Sequence, residues 1–581
     1  MKYPKLRELK ASRQMVDTFK GYNHNLRISD GEFFDMKNMT SDSYPVLSPR
    51  KNRGVYASTT NPTGIIAKDA LCYVDGQTFY INEYPVDMGL SDEPKQLISM
   101  GAYVIIMPDK KWINTLDHKF GNIESHFDNR ASGLDVTFSL CTIDGAEYEN
   151  MTTSEAEPAE PENLDLWIDT SSKPHTLKQY SESSATWVQI ATTYIKLSCP
   201  GIGAAFNQYD GVTISGIKAD ELQDLNASTV IWAKGDDYIV VVGILDEVIS
   251  QPVDVGVISV DRRMPAMDFV IESENRLWGC RYGVANNGEV VNEIYASKLG
   301  DFKNWNCFMG VSTDSYAASC GTDGQFTGAI THLGYPLFFK ENCVHKVYGN
   351  YPANFQIQTT ACRGVQKDCA KSMAIVNETL FYKSRNAVCA YDGSLPTEVS
   401  YALGNEAYSD AVGGAHGNKY YISMKDVSGF YHLFVYDMGK GMWHKEDDLK
   451  VDSFCSCRGE LYAINNGDII TILGTGTPDT APVEWMVETG EIGISSPDMK
   501  YISRITLRMS MDIGAELRIY AQYDHNEDWE QVCSLTSYNL RSFSIPVRPK
   551  RCDYMKVRIE GIGAAKIYSI TKTIEQGSEL S

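Results

Sequence analysis

Along most of the chain, apolar and polar residues alternate in short runs broken by Gly, Asn and Asp, and runs at helical spacing are scarce. Such a pattern predicts many short strands joined by tight turns. In the second half the runs recur. "RLWGCRYG" centres on Trp278, "PLFFKENCVHKVYG" on Phe338, "TLFYKSRNAVCAYDG" on Phe381, "KYYISMKDVSGFYHLFVYD" on Tyr421 and "ELYAINNGDIITILG" on Tyr462, and the last four aromatics lie 43, 40 and 41 residues apart. Each unit reads as an apolar-aromatic strand, a polar turn and a second strand often ending in Tyr with Asp or Gly. An all-strand period of roughly 40 residues is what a propeller blade of about four strands requires. Two earlier units, "ALCYVDGQTFYINEY" around Cys72 and "AYVIIMPDKKWINTL" around Val104, fit less regularly. The fold predicted is all-β, with a six- or seven-bladed β-propeller; a closed ring also leaves no long exposed strand edge.

Between the units at Val104 and Trp278 the period lapses for 173 residues. That gap holds strand-like pieces, "ATWVQIATTYIKLS" and "STVIWAKGDDYIVVVGIL", and the Pro-rich acidic loop "EAEPAEPEN". It predicts an inserted β domain. After Gly476 longer alternating strands begin: Ile505, Leu507, Met509 and Met511 share one face, and Arg504, Thr506 and Arg508 the other. Strands with one polar face describe a β-sandwich, jelly-roll-like in character. The predicted organisation is an N-terminal arm and lead-in (1–54), first blades (55–130), an inserted acidic β domain (131–255), remaining blades (256–478) and a C-terminal β-sandwich (479–581).

Charge sharpens this picture. The net charge is −22, and residues 131–255 alone carry 20 acidic residues against five lysines. No basic stripe of the size that neutralises nucleic-acid phosphates occurs. The basic N-terminus (Lys2, Lys5, Arg7, Lys10, Arg13) reads as a solvated or partner-docking arm. The longest apolar stretch, "YIVVVGIL", falls far short of the roughly 20 residues of a membrane helix. The N-terminus has no apolar segment of a secretory signal, which points to a product made in the cytoplasm. Fourteen cysteines are scattered without a C-x-x-C pair, so buried thiols in a reducing compartment are expected.

Candidate chemistry is thin. Two "GIGAA" strings (Gly201–Ala205 and Gly561–Ala565) lack the sixth-position Gly or Ala and the following helix of a dinucleotide fingerprint, and read as turns. Cys343 and His345 share a strand face with His332 nearby in sequence, but no carboxylate is placed to orient the ring. "GTDGQFTG" lacks the Ser and Trp of a sialidase Asp-box. Nucleophile elbows, phosphate loops and H-E-x-x-H helices are absent from the sequence. The chain is therefore expected to be a non-enzyme, with no catalytic, cofactor-binding or metal residue assigned.

Three segments, "FFDMKNMTSDSYPVLSPRKNRG" (Phe33 to Gly54), "NRLWGCRYGVANNGEVVNEIYASKLGDFKNWNCF" and "RCDYMKVRIEGIGAAKIYSITKTIEQGSEL", resemble the β-propeller virion proteins of tailed bacteriophages, the packaged-DNA stabilisation or tail-nozzle (tubular) family. The likeness runs from about Gly21 to Ser578, with structural rather than catalytic motifs. It implies a virion protein of the head–tail junction, assembled in the host cytoplasm as a homo-oligomeric ring, a hexamer. Its partners would be the portal or adaptor, other tail proteins and DNA passing through the lumen without sequence-specific binding, with no membrane. Such a ring helps retain and deliver the packaged genome. Acidic residues, with Glu155, Glu157, Glu160 and Glu162 as candidates, would line the channel and let DNA slide.

Two other readings stand beside it. One is a glycan- or receptor-binding virion protein, able in one version to cleave glycans, that uses the C-terminal sandwich; there Tyr520, on the polar face of its strand, could stack on sugars. The other is a cellular propeller scaffold. In the lead-in, Phe33, Phe34 and Met36 are expected to pin the segment to the ring, and Pro45 and Pro49 to hold it extended. Arg50, Lys51 and Arg53 are expected to pair with a carboxylate or a neighbouring subunit.

Overall fold

The computed structural model describes residues 11–130, 132–148, 151–285, 288–474, 482–494, 499–524, 528–536, 541–545, 547 and 550–576. Lys2, Lys5, Arg7 and Lys10 of the basic N-terminus lie outside the described residues, as does Gly476. The chain is all-β, with four short 3-10 turns among the described residues. It divides into two compact units: residues 1–95, 338–344 and 360–581, and residues 96–337 and 345–359.

In the first unit, four-stranded antiparallel sheets follow the chain in order. One contains Pro62–Lys68, Ala70–Asp75, Thr78–Ile81 and Tyr84–Asp87. Another is built from Ala374–Val376, Thr379–Lys383, Val388–Tyr391 and Thr397–Glu398, and a third run from Ser409–His416, Lys419–Lys425, Tyr431–Asp437 and Met442–Lys445. The sheet of Ser453–Cys457, Glu460–Asn465 and Asp468–Thr471 takes its fourth strand, Gly54–Ser58, from the other end of the chain, with Thr471 opposite Gly54. In the second unit, Gln96–Met100, Tyr103–Met107, Lys111–Asn114 and Phe120–Asn122 form one such sheet. Phe269–Ser273, Arg276–Val284, Val290–Ala296 and Tyr316–Ser319 form another.

The repeated apolar positions of the sequence occupy equivalent places. Cys72, Val104, Trp278, Phe338, Phe381, Tyr421 and Tyr462 each lie on the second strand of their run. Second strands have a neighbour on either side, so their side chains are enclosed; Cys72, Val104 and Phe338 are fully buried. Several first-to-second-strand hairpins turn on two positive-φ residues: Glu274–Asn275 (51° and 58°), Asn377–Glu378 (44° and 68°) and Arg458–Gly459 (48° and 81°). This turn type matches the right-handed twist of the strands it joins.

The lead-in is woven into the C-terminal strands rather than standing apart as an arm. Ala11–Val16 pairs along Ala565–Gln576, with Ala11 opposite Glu575, and so joins a sheet that contains Lys500–Met511, Arg541–Ile545 and Arg551–Cys552. Gly21–Tyr22 and Glu32–Lys37 link the sheet of residues 409–445 to Glu484–Thr489, Met555–Ile562, Glu516–Tyr523 and Glu530–Leu535, making ten strands in all. Phe33 and Met36 are buried on this path at 2% and 1% exposure. Arg50 and Arg53 pair with Glu446 and Asp447, the Arg53 contacts being 2.7 Å and 2.6 Å.

Within the second unit, Ser125–Asp128 pairs with Ser259–Arg262, so the acidic segment leaves and returns on neighbouring strands. Between them Val136–Cys141, Tyr194–Ser198 and Tyr238–Val242 build a sheet over a core that includes Phe138, Ile195, Phe206, Ile214, Val241 and Val260. A smaller sheet, Met151–Ser154, Leu166–Asp169, Thr176–Ser181 and Thr186–Gln189, packs through Leu166, Ile168 and Leu177 on Leu140.

Candidate functional site: a polar groove on the C-terminal sheet face

The strands Glu484–Thr489, Met555–Ile562 and Glu516–Tyr523 lie side by side, and alternate residues face opposite ways. Trp485, Val487, Val557, Ile559, Leu517 and Ile519 are buried on one face. On the other, register sets two rows: Glu484, Ile562 and Glu516 in one, and Lys37, Met486, Glu560 and Arg518 in the next. These side chains line a groove of about 360 Å³.

Beneath the groove, on the buried face of the same strands, one position lacks a side chain. Trp485 spreads its ring over Gly561, where a Cβ would sit 2.2 Å from the ring, and its indole Nε1 donates to the Gly563 carbonyl at 2.9 Å. Among the described residues, the groove's one ion pair joins Arg518 Nη2 to Glu516 Oε2 at 3.6 Å. Glu484, Glu560 and Lys37 therefore present their charges to solvent around the apolar strip of Met486 and Ile562.

Farther along the same face the character changes from carboxylate to aromatic. Arg558 stands opposite Tyr520, bonds Glu488 Oε2 through Nη2 at 2.9 Å, and lies 4.2 Å from the Trp529 ring centroid. Lys556 sits 4.8 Å from the ring centroid of Phe34, and Phe34 stacks on His24 at 4.4 Å. Tyr520, singled out in the sequence, is half-buried beside this row.

Carboxylates accept hydrogen bonds from adjacent hydroxyl groups, guanidinium and ammonium groups donate, and Met486 with Ile562 offers an apolar strip for C–H surface. Glu484 and Glu516 flank Ile562 from opposite strands, about 9.6 Å apart at Cα by strand spacing, with Glu560 in the neighbouring row. The arrangement is that of a polar binding surface with an apolar strip.

The other residues weighed in the sequence fall elsewhere. Both GIGAA strings lie at turns: Gly201–Ala205 in a loop closed by the Cys199–Asp237 backbone bond, and the second string at the turn where the chain passes from Met555–Ile562 in one sheet to Ala565–Gln576 in another. His345 is fully buried with Thr322 and Thr359 hydroxyls at 2.9 Å from its two ring nitrogens. Among the described residues, no group of three or more His, Cys, Asp or Glu side chains is arranged to hold a metal ion. Glu155, Glu157, Glu160 and Glu162 are exposed in the loop before Leu166–Asp169. Sequence reasoning missed Lys37, Glu484, Arg518 and Glu560; alternation marks the last three as outward-facing, but only register brings them together.

No protein-family model matches the chain, and no curated protein does. Solved structures align at low similarity. An exo-β-1,3-galactanase of Phanerochaete chrysosporium is 8% identical over 52% of this chain and 94% of its own, with a TM-score of 0.20. PorZ, a bacterial surface component of the type-IX secretion system of Porphyromonas gingivalis, is 10% identical over 87% and 81%, at 0.27. A Trypanosoma rangeli sialidase is 9% identical over 90% and 96%, at 0.18. Scores this low carry no argument about activity or substrate. The expectation of a tailed-phage ring that retains and delivers DNA is corrected: these three structures are two glycan-acting enzymes and a secretion-system surface component, none of them a virion protein. The channel role given to the four glutamates falls with it.

Proposed function

We propose that this chain is a non-catalytic glycan-binding protein whose C-terminal strands form a β-sandwich that holds a polyhydroxylated ligand in the groove of Glu484, Glu516, Glu560, Lys37 and Arg518. The observation that carries this reading is the grouping of three carboxylates and two cations around the apolar strip of Met486 and Ile562 on one open sheet face. A sugar presents both hydroxyl pairs and a C–H face, which this surface complements. Tyr520 extends the face with a ring suited to a further sugar unit.

The rest of the chain we take as a seven-bladed β-propeller that displays the sandwich. Seven successive four-strand runs support it, the segment 328–361 being the seventh. So does the neighbouring of first strands within each unit: Ser453–Cys457 lies beside both Ser409–His416 and Pro62–Lys68, and Phe269–Ser273 beside both Gln96–Met100 and Gly328–His332. Completion of the last sheet by Gly54–Ser58 is the closure a ring needs.

A glycan microarray probed with the full-length protein tests the function. Retention of a restricted set of oligosaccharides, lost on Glu560→Gln, supports it; an array with no retained glycan overturns it.

A further inference from the structure

A second cavity, of about 280 Å³, lies in the first unit against the strand Thr379–Lys383, lined among others by Lys383, Arg385, Ser400, Asn405, Glu398 and Glu406. Lys383 is 3% exposed. Its ammonium donates to Gln366 Oε1 at 2.9 Å, the Ser384 carbonyl at 2.5 Å and the Arg385 carbonyl at 3.4 Å, all uncharged acceptors. Two other buried lysines have carboxylate partners: Lys500 lies 3.3 Å from an Asp553 carboxylate oxygen and Lys572 2.6 Å from Asp30. Among the described residues, no carboxylate lies within ion-pair distance of Lys383.

A buried charge without a counter-charge is costly, and an anion in the adjoining space removes that cost. Burial also pushes the Lys383 ammonium below the usual lysine range, and the titratable groups acting on it are the thiols Cys369 and Cys389, which burial holds in their neutral form, rather than carboxylates. Exposed Arg385 supplies a second cation at the same cavity. The two glutamates of the wall already have partners: Glu398 binds Arg363 at 3.0 Å, and Glu406 accepts from the Tyr408 hydroxyl at 3.0 Å.

We propose that this cavity binds a sugar carrying one carboxylate, of the hexuronate type, with its carboxylate at Arg385 in the field of Lys383 and its hydroxyls toward Glu398, Glu406, Ser400 and Asn405. The Lys383 protons are already given to three oxygens, so the lysine acts through its charge and Arg385 makes the contact. A dianionic phosphate is disfavoured, because the two glutamates share the cavity. The site is separate from the sheet-face groove and stands whether or not that groove binds glycans.

Titration calorimetry of the full-length protein with glucuronate, glucose, acetate and inorganic phosphate tests it. Glucuronate should bind at least tenfold more tightly than each of the other three, and more weakly as salt is raised. Arg385→Gln, at an exposed position, should weaken glucuronate at least tenfold, as should Lys383→Met if that variant keeps the parental circular dichroism. No glucuronate binding at millimolar concentration, equal binding of glucose, acetate or phosphate, or Arg385→Gln binding like the parent would overturn the proposal.

Discussion

Arg518 and Glu560 stand directly opposite each other on neighbouring antiparallel strands and place a donor beside an acceptor in the middle of the sheet-face groove. Each should contribute to ligand affinity without contributing much to folding, because both project outward. Arg518→Met and Glu560→Gln should each weaken the retained oligosaccharide about tenfold, or about 1.4 kcal/mol. Urea midpoints should stay close to the parental value.

Gly561 lies beneath the same groove, on the buried face of its strand. Adding a methyl group there drives a Cβ to 2.2 Å from the Trp485 ring, which is itself held by Nε1. Gly561→Ala should destabilise the fold by about 1–3 kcal/mol, as overpacked sites do. Denaturant titration measures the loss, and Trp485 fluorescence should shift as the ring is displaced.

Arg53 joins the lead-in to Glu446 and Asp447, at 12% side-chain exposure against 6% and 20%. Removing Arg53 leaves Arg50 alone against two largely buried carboxylates, so Arg53→Met should cost about 3 kcal/mol at pH 7, the low end for a broken buried pair. Burial alone would raise the Asp447 carboxyl, but Arg53 and Arg50 outweigh it and hold the group below the usual range. Its stabilising contribution is present above the ordinary carboxylate pKa of about 4 and disappears as pH falls through the depressed folded value. The gap between Arg53→Met and parent, measured by urea unfolding, should therefore narrow in acid.

His444 gives a second pH dependence, in a different window. Burial pushes its imidazole down to about 3, with the Lys419 ammonium adding to the effect, and Nδ1 has no hydrogen-bond partner among the described residues. A histidine kept neutral in the fold stabilises it fully above its ordinary pKa of about 6.5. That contribution should fall steadily as pH drops from there toward 3. His444→Phe should flatten the stability profile between pH 6 and 4, read by thermal melts across that range.

Much of the repeated architecture was legible because it is local. Trp278, Phe381, Tyr421 and Tyr462 mark second strands whose partners lie within a few residues, so pattern and turn chemistry suffice. The lead-in was not legible, because its pairings are distant in sequence: Ala11 faces Glu575 and Phe33 faces Thr489. Alternation gives the face of a strand but not its neighbour. For the same reason Tyr520 could be named from its strand alone, whereas the grouping of Lys37 with Met486, Glu560 and Arg518 depends on the register of four strands. The cavity at Lys383 was hidden too, since a lysine in "TLFYKSRN" reads as a solvated strand end until its burial is known.

The most direct measurement is titration calorimetry of full-length parent and the Arg518→Met/Glu560→Gln double variant with the best-retained oligosaccharide from the array. Saturable binding by the parent, with affinity lost by at least tenfold in a double variant that melts like the parent, is the expected result. Binding of equal strength in both proteins, or no binding by the parent, would contradict a glycan site in the groove.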